Sequence, residues 1–240
     1  MPTLVILPGW GGNKETWGDF LSYLENNPLE KKVNIKVLEL PCFGDVSCPD
    51  EVWGVKEYAE FVKKNIQEEL DEDTVHLLGH SFGGAVAAKL CSRHPGLVDN
   101  LILSGPAIIR PERRFKRFVF SIISKFGKIL FKLPMLEKFG LMCRRAFYRI
   151  IDTDYPTKNK TKRKIFKKIV RQDQKETLSK IKNDTLIIWG ENDNIVDPED
   201  SLKILPELKN SYLCMIKNGG HGLHLNSKRK LRNKINKFLS

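Results

Sequence analysis

The stretch Val75-His76-Leu77-Leu78-Gly79-His80-Ser81-Phe82-Gly83-Gly84 decides how this 240-residue chain is read. Val75 to Leu78 is a short apolar run with the character of a buried strand. The small residues from Gly84 to about Arg93 read as a helix. Ser81 sits on the turn between them, framed by Gly79 and Gly83 as G-x-S-x-G. So sharp a turn drives the serine towards strained dihedral angles, and the two glycines remove the Cβ atoms that would clash there. The hydroxyl is then held above the sheet edge at a helix N-terminus, where the peptide dipoles favour developing negative charge.

Working outward, the chain alternates strand and helix. Leu4 to Leu7 is a continuous apolar run ending in Pro8-Gly9-Trp10-Gly11-Gly12. Thr16, Trp17, Phe20, Leu21 and Leu24 follow at helical spacing. Val33 to Leu40 reads as a strand closed by Pro41-Cys42-Phe43-Gly44-Asp45, and Val55 to Leu70 as an amphipathic helix. Further strands are expected at Leu101–Leu103, Thr185–Trp189 and Tyr212–Ile216, and helices near Pro198–Leu205 and Asn226–Leu239. Apolar runs without polar alternation belong to a parallel sheet covered on both faces, which makes the fold class α/β. Between Pro106 and Thr185 the alternation stops. Phe115, Phe118, Val119, Ile122, Ile123 and Phe126 form one helical stripe, and the segment reads as a helical insertion.

The charge follows the same boundaries. Residues 107–183 carry 23 Lys and Arg against 6 Asp and Glu, whereas the rest carries 18 against 23. Three readings of the basic segment stand together: a solvated helical face, a site for an acidic partner such as a carrier protein or an anionic substrate, and a contact with an anionic membrane surface. No nucleic-acid motif accompanies the charge, so no nucleic-acid partner is expected. The five cysteines form no CxxC; Cys91 and Cys214 read as core thiols, and Cys42 and Cys48 have no metal-pair spacing. Together with an N-terminus that reads as a strand rather than a signal peptide, this predicts no disulfide framework, a reducing compartment and a cytoplasmic protein, peripheral to a membrane if the basic segment docks on one. No run approaches the length of about 18 apolar residues that a membrane span needs.

A serine hydroxyl is a weak nucleophile. It needs a base, a group that orients that base, and donors for the oxyanion. His221, after Gly219-Gly220, is the candidate base. Asp193, in the loop after Trp189, is the candidate orienting acid. The backbone N–H groups of Phe82 and Trp10 are the candidate oxyanion donors. Each has a rival nearby: His224 for His221, and Asp197 and Asp200 for Asp193. Asp200 is expected to open the next helix, His80 to pack or line the pocket, and His76 and His94 to be structural.

In order and spacing these pieces resemble the α/β-hydrolase superfamily almost from end to end. They are Pro8-Gly9-Trp10-Gly11-Gly12, Leu40-Pro41-Cys42-Phe43-Gly44, the Ser81 motif, Trp189-Gly190-Glu191-Asn192-Asp193 and Gly219-Gly220-His221. The resemblance is to small, capped esterase-like and C–C-hydrolase-like members. It implies a mostly parallel sheet of about six strands without the superfamily's preceding hairpin, a catalytic core of residues 1–106 and 184–240, and a basic helical cap of residues 107–183. It also implies Ser81, Asp193 and His221 as a triad, Trp10 and Phe82 as the oxyanion hole, and Trp10, Phe115, Phe118, Ile122 and Phe126 as substrate-binding residues. Neither a metal nor an organic cofactor is needed. Hydrolysis of a carboxylic ester or thioester through an acyl-enzyme is the expected activity. C–C bond hydrolysis of a diketone-like substrate is the alternative within the class, and a non-catalytic ligand-binding or membrane-docking protein the alternative outside it. Three departures from the superfamily pattern stand out: Pro8 where the loop usually has histidine, Cys42 where relatives usually have glycine, and a first strand that corresponds to the superfamily's third, without the usual hairpin before it.

Overall fold

A computed structural model describes residues 1–69, 74–110 and 159–240. The strands are β1 (Thr3–Leu7), β2 (Asn34–Val37), β3 (Val75–His80), β4 (Val98–Ser104), β5 (Asp184–Gly190) and β6 (Ser211–Ile216). They form one six-stranded sheet in the order β2-β1-β3-β4-β5-β6, and every pairing is parallel. The helices are α1 (Lys14–Asn26), α2 (Val55–Lys64), α3 (Phe82–Arg93), α4 (Lys160–Ile169), α5 (Lys175–Leu178), α6 (Asp200–Ile204), α7 (Leu223–Asn226) and α8 (Lys228–Leu239).

The continuous apolar runs are explained by burial on both faces of the sheet. Along β1, Val5 and Leu7 point into one core and Leu4 and Ile6 into the other. The same alternation sends Leu101, Leu103, Ile187 and Trp189 to the first core and Ile102, Leu186 and Ile188 to the second. Residues of α2, α3, α4 and α5 close the first core, and residues of α1, α7 and α8 close the second. Side chains alternate along a strand, so a two-faced sheet needs apolar residues at every position.

Local sequence sets the helix starts. Asn13 caps α1: its side chain accepts from Thr16 N at 3.2 Å, while the Thr16 hydroxyl accepts from Asn13 N at 3.1 Å. The helix after the serine begins at Phe82, not Gly84, because the turn is completed within Ser81 itself. The second strand is shorter than the apolar pattern from Val33 to Leu40. Beyond Val37 one further ladder bond forms, Leu38 N to Ile6 O at 3.0 Å, and the chain then leaves the sheet.

In leaving, it overturns the cysteine expectation. The loop folds back on itself, with Cys42 N donating to Val46 O at 3.1 Å and Val46 N to Phe43 O at 3.0 Å. Cys42 and Cys48 come to a Cα separation of 4.2 Å and form a disulfide. The inference from free thiols to a reducing compartment therefore loses its basis. Cys91 is buried as expected, but Cys214 is only half-buried. Cys42 has φ 75°, the left-handed conformation that glycine adopts without a Cβ penalty. No helix among the described residues is long and apolar enough to cross a membrane.

Candidate active site

In an all-parallel sheet the C-terminal ends of the strands share one edge, and three loops deliver the candidate residues there. Ser81 follows β3 with φ 53° and ψ −115°, the strained turn expected for an exposed serine between strand and helix. The glycines around it are there for close approach. A Cβ on Gly79 would lie 2.5 Å from the Gly83 carbonyl oxygen and 2.7 Å from Gly84 Cα, and one on Gly83 would overlap the Leu7 carbonyl. The elbow is pinned from outside its own helix: Ser81 N donates to Ser104 O at 3.1 Å, and Ala107 N to Ser81 O at 2.9 Å.

Asp193, after β5, and His221, after β6, meet across 2.8 Å between Oδ2 and Nδ1. The other carboxylate oxygen of Asp193 accepts from Ile195 N at 2.9 Å and Val196 N at 3.0 Å. Its side chain is 1% exposed. Burial pushes the carboxyl pKa up, but the bond from His221 and the two backbone donors outweigh it and hold the group below the ordinary carboxylate value. An ionised Asp193 makes Nδ1 of His221 the protonated nitrogen and leaves Nε2 as a base. Gly105 (φ 49°) makes room for this pair: a Cβ there would sit 3.1 Å from Asp193 Oδ2 and 3.4 Å from His221 Nδ1.

The rivals are engaged elsewhere. His224 is buried and stacked on Trp17, with ring centroids 4.1 Å apart and planes 12° from parallel. Burial, followed by the neighbouring His221, lowers its pKa to about 4. Asp197 Oδ1 accepts from Glu199 N at 3.0 Å, and Asp200 opens α6 and pairs with Lys203. His80 is buried, its Nδ1 3.0 Å from Ser104 O. Burial first, then His221 and His224, press its pKa down to about 3. His80 therefore stays neutral, donates to the same carbonyl that receives Ser81 N–H, and lies 4.7 Å from the His221 ring. His76 bonds Asn100, and His94 bonds Glu60.

The loop after β1 comes up against Ser81: a Cβ on Gly9 would stand 3.3 Å from Ser81 Cβ. The Trp10 ring meets Phe43 at 4.8 Å, Phe166 at 5.2 Å and Phe82 at 5.4 Å between centroids. Lys162 lies over the Phe43 ring at 5.1 Å. Phe43, Phe166 and Lys162 were not expected from the sequence. The available signal was Phe166 beside Ile165, Ile169 and Val170 on one face of an otherwise basic helix. Phe115, Phe118, Ile122 and Phe126 lie outside the described residues.

Residues 2–228 match the family described as alpha/beta hydrolase fold. The chain belongs to that family. This α/β hydrolase is 24% identical to monoacylglycerol lipase ABHD6 of Mus musculus, over 100% of this chain and 76% of the relative. It is 25% identical to 2-hydroxy-6-oxononadienedioate/2-hydroxy-6-oxononatrienedioate hydrolase 1 of Pseudomonas putida, over 91% of this chain and 81% of the relative. Among solved structures it resembles one described as a membrane phospholipase A, a bacterial virulence factor. The TM-score is 0.72 and the identity 26%, over 99% of this chain and 78% of that one. The matches thus run through most of each chain, and the relatives are named for different substrates.

Proposed function

We propose that this α/β hydrolase cleaves a carboxylic ester or thioester through Ser81, His221 and Asp193. The observation that carries the reading is the 2.8 Å contact between His221 and an acid held ionised, at the same sheet edge as a serine on a strained elbow. Ser81 Oγ attacks the carbonyl carbon while His221 Nε2 takes its proton. The oxyanion is received by the N–H groups of Phe82 and Trp10. The imidazolium, steadied by Asp193, returns the proton to the departing alcohol or thiol. Water activated by His221 then releases the acid and restores Ser81.

The wall of Trp10, Phe43, Phe82 and Phe166 suits an apolar acyl group. Residues 107–183 act as a cap in this proposal. Phe115, Phe118, Ile122 and Phe126 line its underside, and its basic face meets an acidic carrier protein or an anionic membrane. C–C bond hydrolysis is kept as a second reading, because the Pseudomonas putida relative is named for such a substrate and the same three residues serve that chemistry.

The test is labelling by a fluorophosphonate probe, read by intact mass, followed by a panel of esters, thioesters and dienoic diketones. One probe adduct on the wild type and none on Ser81→Ala is the expected result. Undiminished labelling or turnover in Ser81→Ala would remove the assignment, and a folded wild type that takes no probe would favour a non-catalytic ligand-binding protein.

A further inference from the structure

The basic insertion is not the protein's only cationic segment. No Asp or Glu follows Glu207, so residues 208–240 carry eight Lys and Arg and no acid. With this segment and the insertion set aside, the remainder holds 10 Lys and Arg against 23 Asp and Glu. A positive flank is therefore mounted on a negative body. All of it lies within the described residues, on β6 at the edge of the sheet and on α8 beside it.

The contacts sort α8 into ridges. Leu231, Ile235 and Leu239 are buried in the core. Lys228, Arg232 and Asn236 face α1 and the loop after it: Lys228 bonds Asp19 at 3.1 Å, Arg232 Nε donates to Asn27 O at 3.2 Å, and Asn236 receives Glu30 N. On the opposite side Lys230 Nζ reaches Lys217 O, at the end of β6, at 2.8 Å. Phe238 packs edge-on against Tyr212 of β6, with centroids 6.4 Å apart. That leaves Arg229, Asn233 and Lys237 outermost, with Lys234 alongside, all exposed. On the α8 side of the sheet β6 exposes Tyr212 (64%), and exposed Lys209 and Lys217 stand just before and just after the strand; Met215 points to the other face, in register with Trp189.

We propose that this β6–α8 flank docks on an anionic lipid surface. Positive charge on long, flexible stems matches the negative potential of anionic headgroups, and the segment that carries it has no acidic side chain of its own to repel them. Tyr212 and the partly covered Phe238 supply what a purely electrostatic patch lacks, namely aromatic groups beside the cations that can enter the interfacial layer. Fluid headgroups conform to a row of cations with aromatic groups beside it and need no matching pocket, whereas an acidic protein partner would bind independently of the vesicles. The docking does not depend on the ester-hydrolase reading, because binding is measured without turnover.

The experiment is sedimentation of the full chain with vesicles of phosphatidylcholine alone and of phosphatidylcholine with phosphatidylserine, at low and high salt. Five proteins are compared: the wild type, Arg229→Glu/Lys234→Glu/Lys237→Glu, Tyr212→Ser, Lys160→Glu/Lys164→Glu on the insertion helix, and Ser81→Ala. The wild type should bind only the phosphatidylserine vesicles and release them at high salt. The α8 triple variant should partition at least about tenfold more weakly, and the Tyr212→Ser variant should retain binding that is weaker and more salt-sensitive. Both should hydrolyse a soluble short-chain ester as the wild type does, and Ser81→Ala should bind vesicles as the wild type does. No wild-type binding at low salt, equal binding to uncharged vesicles, a loss confined to the Lys160/Lys164 variant, or undiminished binding of Tyr212→Ser would overturn the proposal.

Discussion

Replacing Asp193 by Asn changes one atom's hydrogen-bonding sense at the point where the proposed mechanism is most exposed. Asp193 Oδ1 receives two backbone donors, Ile195 N and Val196 N, and Oδ2 receives one, His221 Nδ1. An asparagine amide has one acceptor oxygen. Two fixed backbone donors outbid one side chain, so the oxygen turns to them and the NH2 group turns to His221. The imidazole can meet that donor only by accepting at Nδ1, which moves its own proton to Nε2, and Nε2 then no longer serves as a base. In serine enzymes this tautomer error costs about 10⁴ in kcat, equivalent to about 5.4 kcal/mol. The fold should tolerate the change, because two of three bonds survive; about 1–3 kcal/mol of stability is at stake.

The pH dependence gives a second reading of the same substitution. A carboxyl whose pKa is lowered on folding contributes stability that is present above its unfolded pKa and lost as pH falls through its folded pKa. The stability gap between wild type and Asp193→Asn should therefore be full at neutral pH and close in acid. The assay is hydrolysis of a short-chain p-nitrophenyl ester at neutral pH, with thermal unfolding across the acid range. Asp197→Asn and Asp200→Asn serve as controls and should leave kcat unchanged. A folded Asp193→Asn enzyme within tenfold of wild-type kcat would refute the reasoning, and a large loss in Asp200→Asn would shift the acid's role to that residue.

Two further outcomes follow from groups around the site. His80 and His224 have folded pKa values of about 3 and about 4, well below an unfolded histidine near 6.5, so the unfolded chain binds more protons between those limits. Stability should fall as pH drops from about 6.5 towards 4; His224→Phe, which keeps the stack on Trp17, should show a smaller fall in Tm over that range, and an equal fall would count against the assignment. At Cys42, φ 75° penalises any side chain once the disulfide is gone. Under reducing conditions Cys42→Gly should be more stable than Cys42→Ala by about 1–2 kcal/mol, and denaturant melts showing alanine equal to glycine would contradict the left-handed conformation.

Much of the candidate site was legible before any coordinates. The Ser81 elbow is a local device: strand, glycines and helix lie within one short stretch, and the close approach at Gly79 is to its chain neighbours Gly83 and Gly84, although Gly83 also has to clear the distant Leu7 and Pro8 carbonyls. The continuous apolar runs of β1, β3, β4 and β5 likewise announce a sheet covered on both faces. Asp193 and His221 were named from their order and their glycine-rich loops, and the structure brings them together. The Cys42–Cys48 bond was missed because nothing in a six-residue spacing says that the loop will reverse; that depends on Cys42 N finding Val46 O.

By itself, then, the sequence determined what periodicity and local turn chemistry encode: an α/β sheet, a strained serine, an interrupting basic segment and a short roster of acids and histidines. The tertiary structure alone decided among that roster. His224 stacks on Trp17, a residue of α1 far from it in the chain, while His221 meets Asp193. Phe43 and Phe166 join Trp10 from loops and helices that only the strand order brings together. The cations of α8 become a flank because β6 ends the sheet with Tyr212 beside Phe238. A side chain's intrinsic chemistry is carried by its type, but its partners are set by which distant segments the packed sheet makes neighbours, and no pattern of adjacent residues records that.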